Sequence, residues 1–280
     1  MDKREGQLKN FPKVNLLLVL TAICAVYATI VPGMVSDWSN DPNYSHGFLV
    51  PLISGYFLYG VWDELKSTPV RPSDAGLAVI VLSLLMLVLG YIGTEYFTMR
   101  ASLVVLITGI VLFWFGWGVL RLAALPIAFL IFMVPLPYIV YDAIAFPLKL
   151  LVTQASVGAM KMLSLPVVRE GNIITFPQTV LEVADACSGL RSLMSLLTLS
   201  VALAFISQKS AAKRTILIVS AVPVAIVTNM FRVIVTGVLA SFYGRAAAEG
   251  FFHEFAGLAV FAVAMVLLFG ESALLRKVGR

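Results

Sequence analysis

Residues 75–92 read AGLAVIVLSLLMLVLGYI, an eighteen-residue run without a charged side chain. A helix needs about 20 mostly apolar residues to cross a hydrocarbon core about 30 Å thick. One such run is compatible with a buried core helix, but this chain repeats the pattern from end to end. Comparable runs occupy Asn15–Val31, Ala101–Trp117, Leu120–Ile139, Leu190–Ile206, Thr215–Gly237 and Phe255–Leu275, with a shorter one over Gly47–Trp62. With 60% hydrophobic and only 12% charged residues, against about 25% charged in soluble domains, no soluble core could hide this much apolar surface. The pattern predicts an all-α polytopic membrane protein with about eight transmembrane helices.

The basic residues orient the spans, because Lys and Arg accumulate on the cytoplasmic side. Lys3, Arg4, Lys9 and Lys13 precede the first run, Lys66 and Arg71 follow Gly47–Trp62, Lys209, Lys213 and Arg214 follow Ile206, and Arg276, Lys277 and Arg280 end the chain. Eight crossings put all four groups on one side. A ninth candidate, Ile144–Leu165, carries Lys149 and Lys161; counting it as a span would send the last two groups outward. It is therefore expected to lie along the outer surface as an amphipathic interfacial helix. Residues 166–187 contain NIITF and TVLEV, β-prone segments separated by Pro177 and Gln178, and predict a small extracytoplasmic hairpin. The expected organisation is a cytoplasmic segment 1–14, a single membrane domain 15–275 that includes an extracytoplasmic insertion 140–189, and a cytoplasmic tail 276–280. The net charge of +5 is accounted for by the cytoplasmic loops and calls for no nucleic-acid partner. Two cysteines, Cys24 and Cys187, supply neither a disulfide framework nor a metal cluster.

Against this apolar background, polarity gathers at a few places. The stretch EVADACSGLRSL puts Cys187 at the start of a predicted span, with Ser188 as the expected N-cap and Arg191 in the first turn. The positive end of a helix and a nearby guanidinium both favour thiolate, the nucleophilic form. Cys24 lies alone in an apolar helix and reads as an ordinary buried thiol. Asn229 and Arg232 fall inside the seventh predicted span, where a charged residue marks a functional site by default. Eighteen residues of helix carry Arg232 about 27 Å above Arg214, close to the outer edge of the membrane. His253 begins the last span and His46 the second, both at their outer ends. Topology thus delivers a thiol, a guanidinium and an imidazole to one level of the membrane. A Cys–His pair is an activated nucleophile for acyl transfer, and an arginine beside it can stabilise an oxyanion or hold a carboxylate.

At these residues the sequence resembles the exosortases, membrane-embedded cysteine peptidases akin to the archaeosortases. The features that carry the resemblance are ACSGLRS around Cys187, the NxxR ending at Arg232, His253 followed by Gly257, and the earlier YSHGFLVPLISGY. The resemblance implies catalytic roles for Cys187, Arg232 and His253, with no metal and no cofactor. It implies protein substrates whose C-terminal sorting signal combines a Pro-Glu-Pro-like motif, a membrane helix and a basic tail. It places the enzyme in the bacterial inner membrane, in contact with lipid and facing the periplasm, in bacteria that make extracellular polysaccharide. On this reading His253 accepts the proton of Cys187, or stands as imidazolium beside a preformed thiolate. The thiolate attacks the scissile carbonyl, Arg232 stabilises the oxyanion, and water or an amine resolves the thioester. Arg191 is a candidate to hold the substrate's glutamate; Tyr44, His46, Asn229 and Ser188 are candidate supporting residues.

Three other classes compete. Transporters favour midplane sites, broken helices and repeats; here the polar cluster lies at one face, and Pro223 is the one hint of a break. A thiol oxidoreductase wants a second thiol close by, and Cys24 lies at a different depth. A structural component of polysaccharide assembly would have no use for the thiol. The predicted sidedness has a direct check. A membrane-impermeant thiol reagent applied to intact cells should label Cys187 and leave Cys24 unlabelled; labelling of Cys187 only after permeabilisation would place this thiol on the inner side.

Overall fold

The computed structural model describes residues 13–177, 179–183, 189–244 and 251–277. Lys3, Arg4, Lys9, Gln178, Cys187, Ser188 and Arg280 lie outside them. The chain is helical almost throughout and divides into two compact units, Met1–Pro137 and Tyr138–Arg280. Six helices are long and apolar enough to cross a membrane, or seven if one bent pair counts as a single span. The polytopic all-α fold stands, therefore, while length and composition do not confirm the count of eight.

The first unit contains α1 (Lys13–Val26), α2 (Ile30–Asn40), a 3₁₀ segment Pro42–Phe48, α3 (Leu49–Gly60), α4 (Trp62–Ser67), α5 (Ala75–Ile92) and α6 (Tyr96–Phe129), which ends in a 3₁₀ turn, Leu130–Met133. Two expectations change here. The first span is not one straight helix, because α1 and α2 meet at a 62° bend. The run Gly47–Trp62 yields α3, a helix of 12 residues and so about 18 Å long, too short to cross by itself.

Helix α6 carries the main architectural feature of this unit. Gly116 has φ 81° and ψ −175°, which no helix accommodates. Near the start of α6, Arg100 forms an ion pair of 2.6 Å with Asp37, and just beyond its end the Met133 carbonyl accepts a bond of 2.8 Å from Trp38 Nε1. Residues 33 positions apart in α6 therefore meet adjacent residues of α2. A continuous helix would hold them about 50 Å apart, so the chain reverses at Gly116 and α6 is a helical hairpin. The break falls at the end of the first of the two runs expected over Ala101–Trp117 and Leu120–Ile139. Arg71 N donates to the Phe115 carbonyl beside it, and a Cβ on Gly116 would overlap the Arg71 carbonyl. Farther along the second limb, the Leu130 N–H turns to Ile127 and Ala128, and the Pro126 carbonyl that it leaves accepts from Ser54 Oγ at 2.8 Å instead. Helix α5 lies against the first limb of α6, close enough that Gly76 and Gly109 leave no room for a side chain at the crossing.

The second unit comprises α7 (Tyr138–Met162), a three-stranded antiparallel sheet, α8 (Leu190–Ser207), α9 (Ala211–Tyr243) and α10 (Phe251–Lys277). The expected hairpin is present as β2 (Ile173–Thr175) and β3 (Val180–Glu182), and a third strand, β1 (Val168–Glu170), pairs with β2. Only three residues form β1, and all three are exposed, so it leaves no alternating pattern to read. Its turn is made by Gly171, at φ 63°. Ile174 and Phe176 pack with Val183 of the sheet's edge, Val152, Val157 and Met160 of α7, and Val233 of α9 into one buried cluster. A side chain buried as fully as Ile174 contributes about 1.5–3 kcal/mol.

Helix α7 begins at Tyr138, earlier than expected, and by length and composition it qualifies as a span. Its packing partners are the sheet, the first turns of α8 through Tyr141, Ala145 and Leu190, and α9 from Ile226 onward. It thus covers only one end of the α8–α9 pair. Helix α9 has 33 residues, about 50 Å of helix, and extends past the expected Gly237. At Gly237 it packs against Met160 and Phe176, while the added last turn leaves Phe242 and Tyr243 exposed. At the opposite end α8, α9 and α10 are joined by Gln208, whose Nε2 donates to Ser272 O at 2.9 Å and Ser272 Oγ at 3.1 Å. Ser220 of α9 donates to Glu271 of α10 close by. Lys209, Lys213, Arg214, Arg276 and Lys277 collect at this same end.

Gly116→Ala should destabilise the protein by at least about 2 kcal/mol, from the left-handed backbone and the blocked carbonyl. Gly118→Ala, whose Cβ meets only the Thr68 methyl at 3.2 Å, should be nearly neutral. Thermal unfolding in detergent distinguishes the two; equal melting temperatures would remove the reversal as a structural requirement.

Candidate functional site

The site is built around α9 in the second unit. Asn229 and Arg232 are three residues apart and share one helix face. Asn229 is 2% exposed and Arg232 9% exposed. Two glycines from other segments close on that pair. At Gly257 of α10 a Cβ would lie 3.2 Å from Arg232 Nη2 and 3.3 Å from its Cζ. The guanidinium therefore rests against bare backbone. Position 253 lies one helical turn before Gly257 on the same face of α10, so the helix that packs on Arg232 is the one that carries His253.

Gly189 makes the second approach. It holds φ 82° at the N-cap of α8, and a Cβ there would lie 2.8 Å from Asn229 Nδ2. Ser188 was the expected cap, but the cap position belongs to Gly189 and makes no side-chain cap bond. The left-handed backbone and the close approach of Asn229 both select glycine over a capping side chain. Cys187 itself lies outside the described residues; the chain resumes two positions after it, against Asn229. Arg191 stands in the first turn of α8, half-buried, as the sequence predicts.

A cleft beside Arg232 is lined by Leu181, Glu182 and Val183 of β3 and its extension and by Val233 and Thr236 of α9. Sequence reasoning missed Glu182 as a neighbour of this site. It stands in the EVADAC segment, but only the pairing of β3 with β2 brings it there. Asn172 Nδ2 donates to Glu182 Oε1 at 3.4 Å and to the Val183 carbonyl at 3.3 Å, tying the strand that leads toward position 187.

Tyr44 and His46 belong to the first unit, in the 3₁₀ segment Pro42–Phe48. Tyr44 donates its hydroxyl to the Leu136 carbonyl at 3.2 Å. His46 is buried, and its Nδ1 has no hydrogen-bond partner among the described residues. Burial holds its pKa below the ordinary imidazole value, against the opposing pull of the Phe132 and Asn43 backbone. Next to it, the Trp38 indole covers Gly47 where a side chain would stand. The early motif thus binds the end of α6 to α2 and α3. Among the described residues, no three of His, Cys, Asp and Glu come together as metal ligands would.

The family model for transmembrane exosortases matches residues 38–270 of the chain. No curated protein and no solved structure matches it.

The glycine at 257 yields a sharp test. Alanine would strengthen α10 by about 1 kcal/mol of helix propensity while pushing the guanidinium aside by a few tenths of an ångström. Misplacement of that order should lower site activity by about tenfold, given that 1 Å can cost about 100-fold. Gly270→Ala, in the same helix with nothing within 4 Å, should stabilise equally and leave activity intact. Processing of a sorting-signal substrate, the activity that the resemblance implies, read beside thermal stability, checks both; equal activity in the two variants would detach Gly257 from the site.

Proposed function

The chain belongs to the transmembrane exosortase family, and on that premise we propose that it is a cysteine peptidase of the inner membrane. It cuts exported proteins at a C-terminal PEP-type sorting signal, with its site facing the periplasm. Cys187 is the nucleophile. His253 takes the Sγ proton, the thiolate adds to the scissile carbonyl, and the oxyanion develops beside Arg232. Collapse of the tetrahedral species breaks the C–N bond, and the leaving amine takes the proton back from His253. Water then releases a free carboxylate from the thioester, or an amine acceptor takes the acyl group. Arg191, in the first turn after the nucleophile, is placed in sequence to hold the glutamate of the motif.

The observation that supports this reading most is the buried Arg232–Asn229 pair. Arg232 packs against the helix of His253, and Asn229 against the residue two places after Cys187. A guanidinium removed from water acts more strongly on a developing charge than an exposed one. An anchor for lipid headgroups would need to be exposed; Arg232 is buried.

Cys187→Ala should abolish processing with normal membrane insertion, seen as loss of the substrate's mobility shift on a gel. Arg232→Lys keeps the charge but loses the planar fork, and should lower the processing rate about 100- to 1,000-fold. Arg276→Lys, at the end of α10, should process at the wild-type rate. Undiminished processing by Cys187→Ala would end the peptidase reading; undiminished processing by Arg232→Lys would remove only its oxyanion role.

A further inference from the structure

At the end of the first unit where α6 reverses, α3, α4 and both limbs of α6 line an open-sided cavity of about 330 Å³. Its walls are apolar: Leu58 of α3, Leu65 of α4, and Val111, Phe115 and Val119 from the two sides of the break. Its rim is different. Trp62 and Lys66 stand there, with Lys66 Nζ 5.5 Å from the centre of the Trp62 ring. Lys66 is the charged member of the lining. Asp63 Oδ1 lies 3.2 Å from Nζ, but its side chain is 98% exposed. An exposed pair of this kind is weak, and one carboxylate does not saturate the three donors of an ammonium.

We propose that this cavity is a binding site for one anionic phospholipid. An acyl chain occupies the apolar interior, and the phosphate meets Lys66 at the rim. The volume lies in the range of about 300–1,000 Å³ found for small-molecule sites. A tryptophan beside a lysine is the pairing expected at headgroup level, where an amphipathic ring and a cation both find partners. The charge complementarity selects the ligand class. A zwitterionic headgroup presents an ammonium of its own to Lys66, whereas a net anionic one presents only phosphate. Arg71, whose backbone N–H is held by the Phe115 carbonyl, and Arg121, two residues beyond Val119, add cations at the same end of the unit, where Glu64 and Asp74 are the further carboxylates; Lys66 is the charged group that lines the pocket itself. The site belongs to the first unit alone and does not depend on the peptidase reading.

Native mass spectrometry of the full-length protein in detergent tests it, with phosphatidylglycerol and phosphatidylethanolamine added in separate titrations. One phosphatidylglycerol should be retained in preference to phosphatidylethanolamine. Lys66→Gln should weaken that retention roughly five-fold, the factor one interfacial lysine is worth. Leu58→Trp, which fills the cavity from a half-exposed position, should abolish the preference. Arg276→Gln should leave it unchanged. Equal retention of both lipids by the wild-type protein would overturn the proposal, as would a preference that survives both Lys66→Gln and Leu58→Trp. A Leu58→Cys variant that cross-links to itself without any lipid preference would assign the cavity to a second copy of the chain, and would overturn it too.

Discussion

In hydrocarbon, every backbone N–H and C=O must find its partner inside the protein, and the first unit is organised by where its helices interrupt that rule. Gly116 is the decisive interruption. The helix stops where Arg71 comes alongside, its N–H donating to the Phe115 carbonyl, and the chain turns back on itself. The reversal brings Arg100 and Met133 to neighbouring residues of α2, and with them the early YSHGF motif. The repair at Pro126 follows the same logic: a carbonyl left without its helical donor receives the Ser54 hydroxyl from α3. A polar side chain in an apolar helix is here the means by which a break is tolerated.

The second unit solves a different problem, the burial of a guanidinium among helices. Arg232 is held against α10 where Gly257 offers only backbone, and Asn229 is held against the left-handed Gly189. Small residues let backbones approach polar groups closely enough to exclude water. The result is a buried charge set against α10, with Gly189 at the start of α8 closing on the neighbouring Asn229. The sheet and α7 complete this end of the unit. They bury one face of α9 around Val233 and Gly237.

Much of this was legible in the chain. Long uncharged runs cannot be anything but helices in lipid, so Ala75–Ile92 and Leu190–Ser207 appear almost where composition puts them. The β2–β3 hairpin was readable from its β-branched segments. Arg232 and Asn229 announced themselves as polar residues in an apolar span. Other features were not legible. The bend between α1 and α2 is marked only by Pro32 in the first turn of α2, which lies past the end of the apolar run, and the shortness of α3 leaves no charge signature to divide its run. Strand β1 is too short to show a period. Ser188 has the chemistry of a cap, but the steric demand at Asn229 gives that place to Gly189.

The sequence by itself determined the solvent of this protein, because hydrophobicity sums along the chain without reference to partners. It also determined which few polar residues stand in the apolar runs, since an arginine or a thiol set in such surroundings stands out wherever it is placed. Tertiary structure alone decided what those residues face. Whether α6 continues or reverses depends on Arg71 meeting Phe115, and whether Arg232 is sheltered depends on Gly257 lying across from it. Both are contacts between segments far apart in the chain, fixed by how helices pack and invisible to any local pattern of residues.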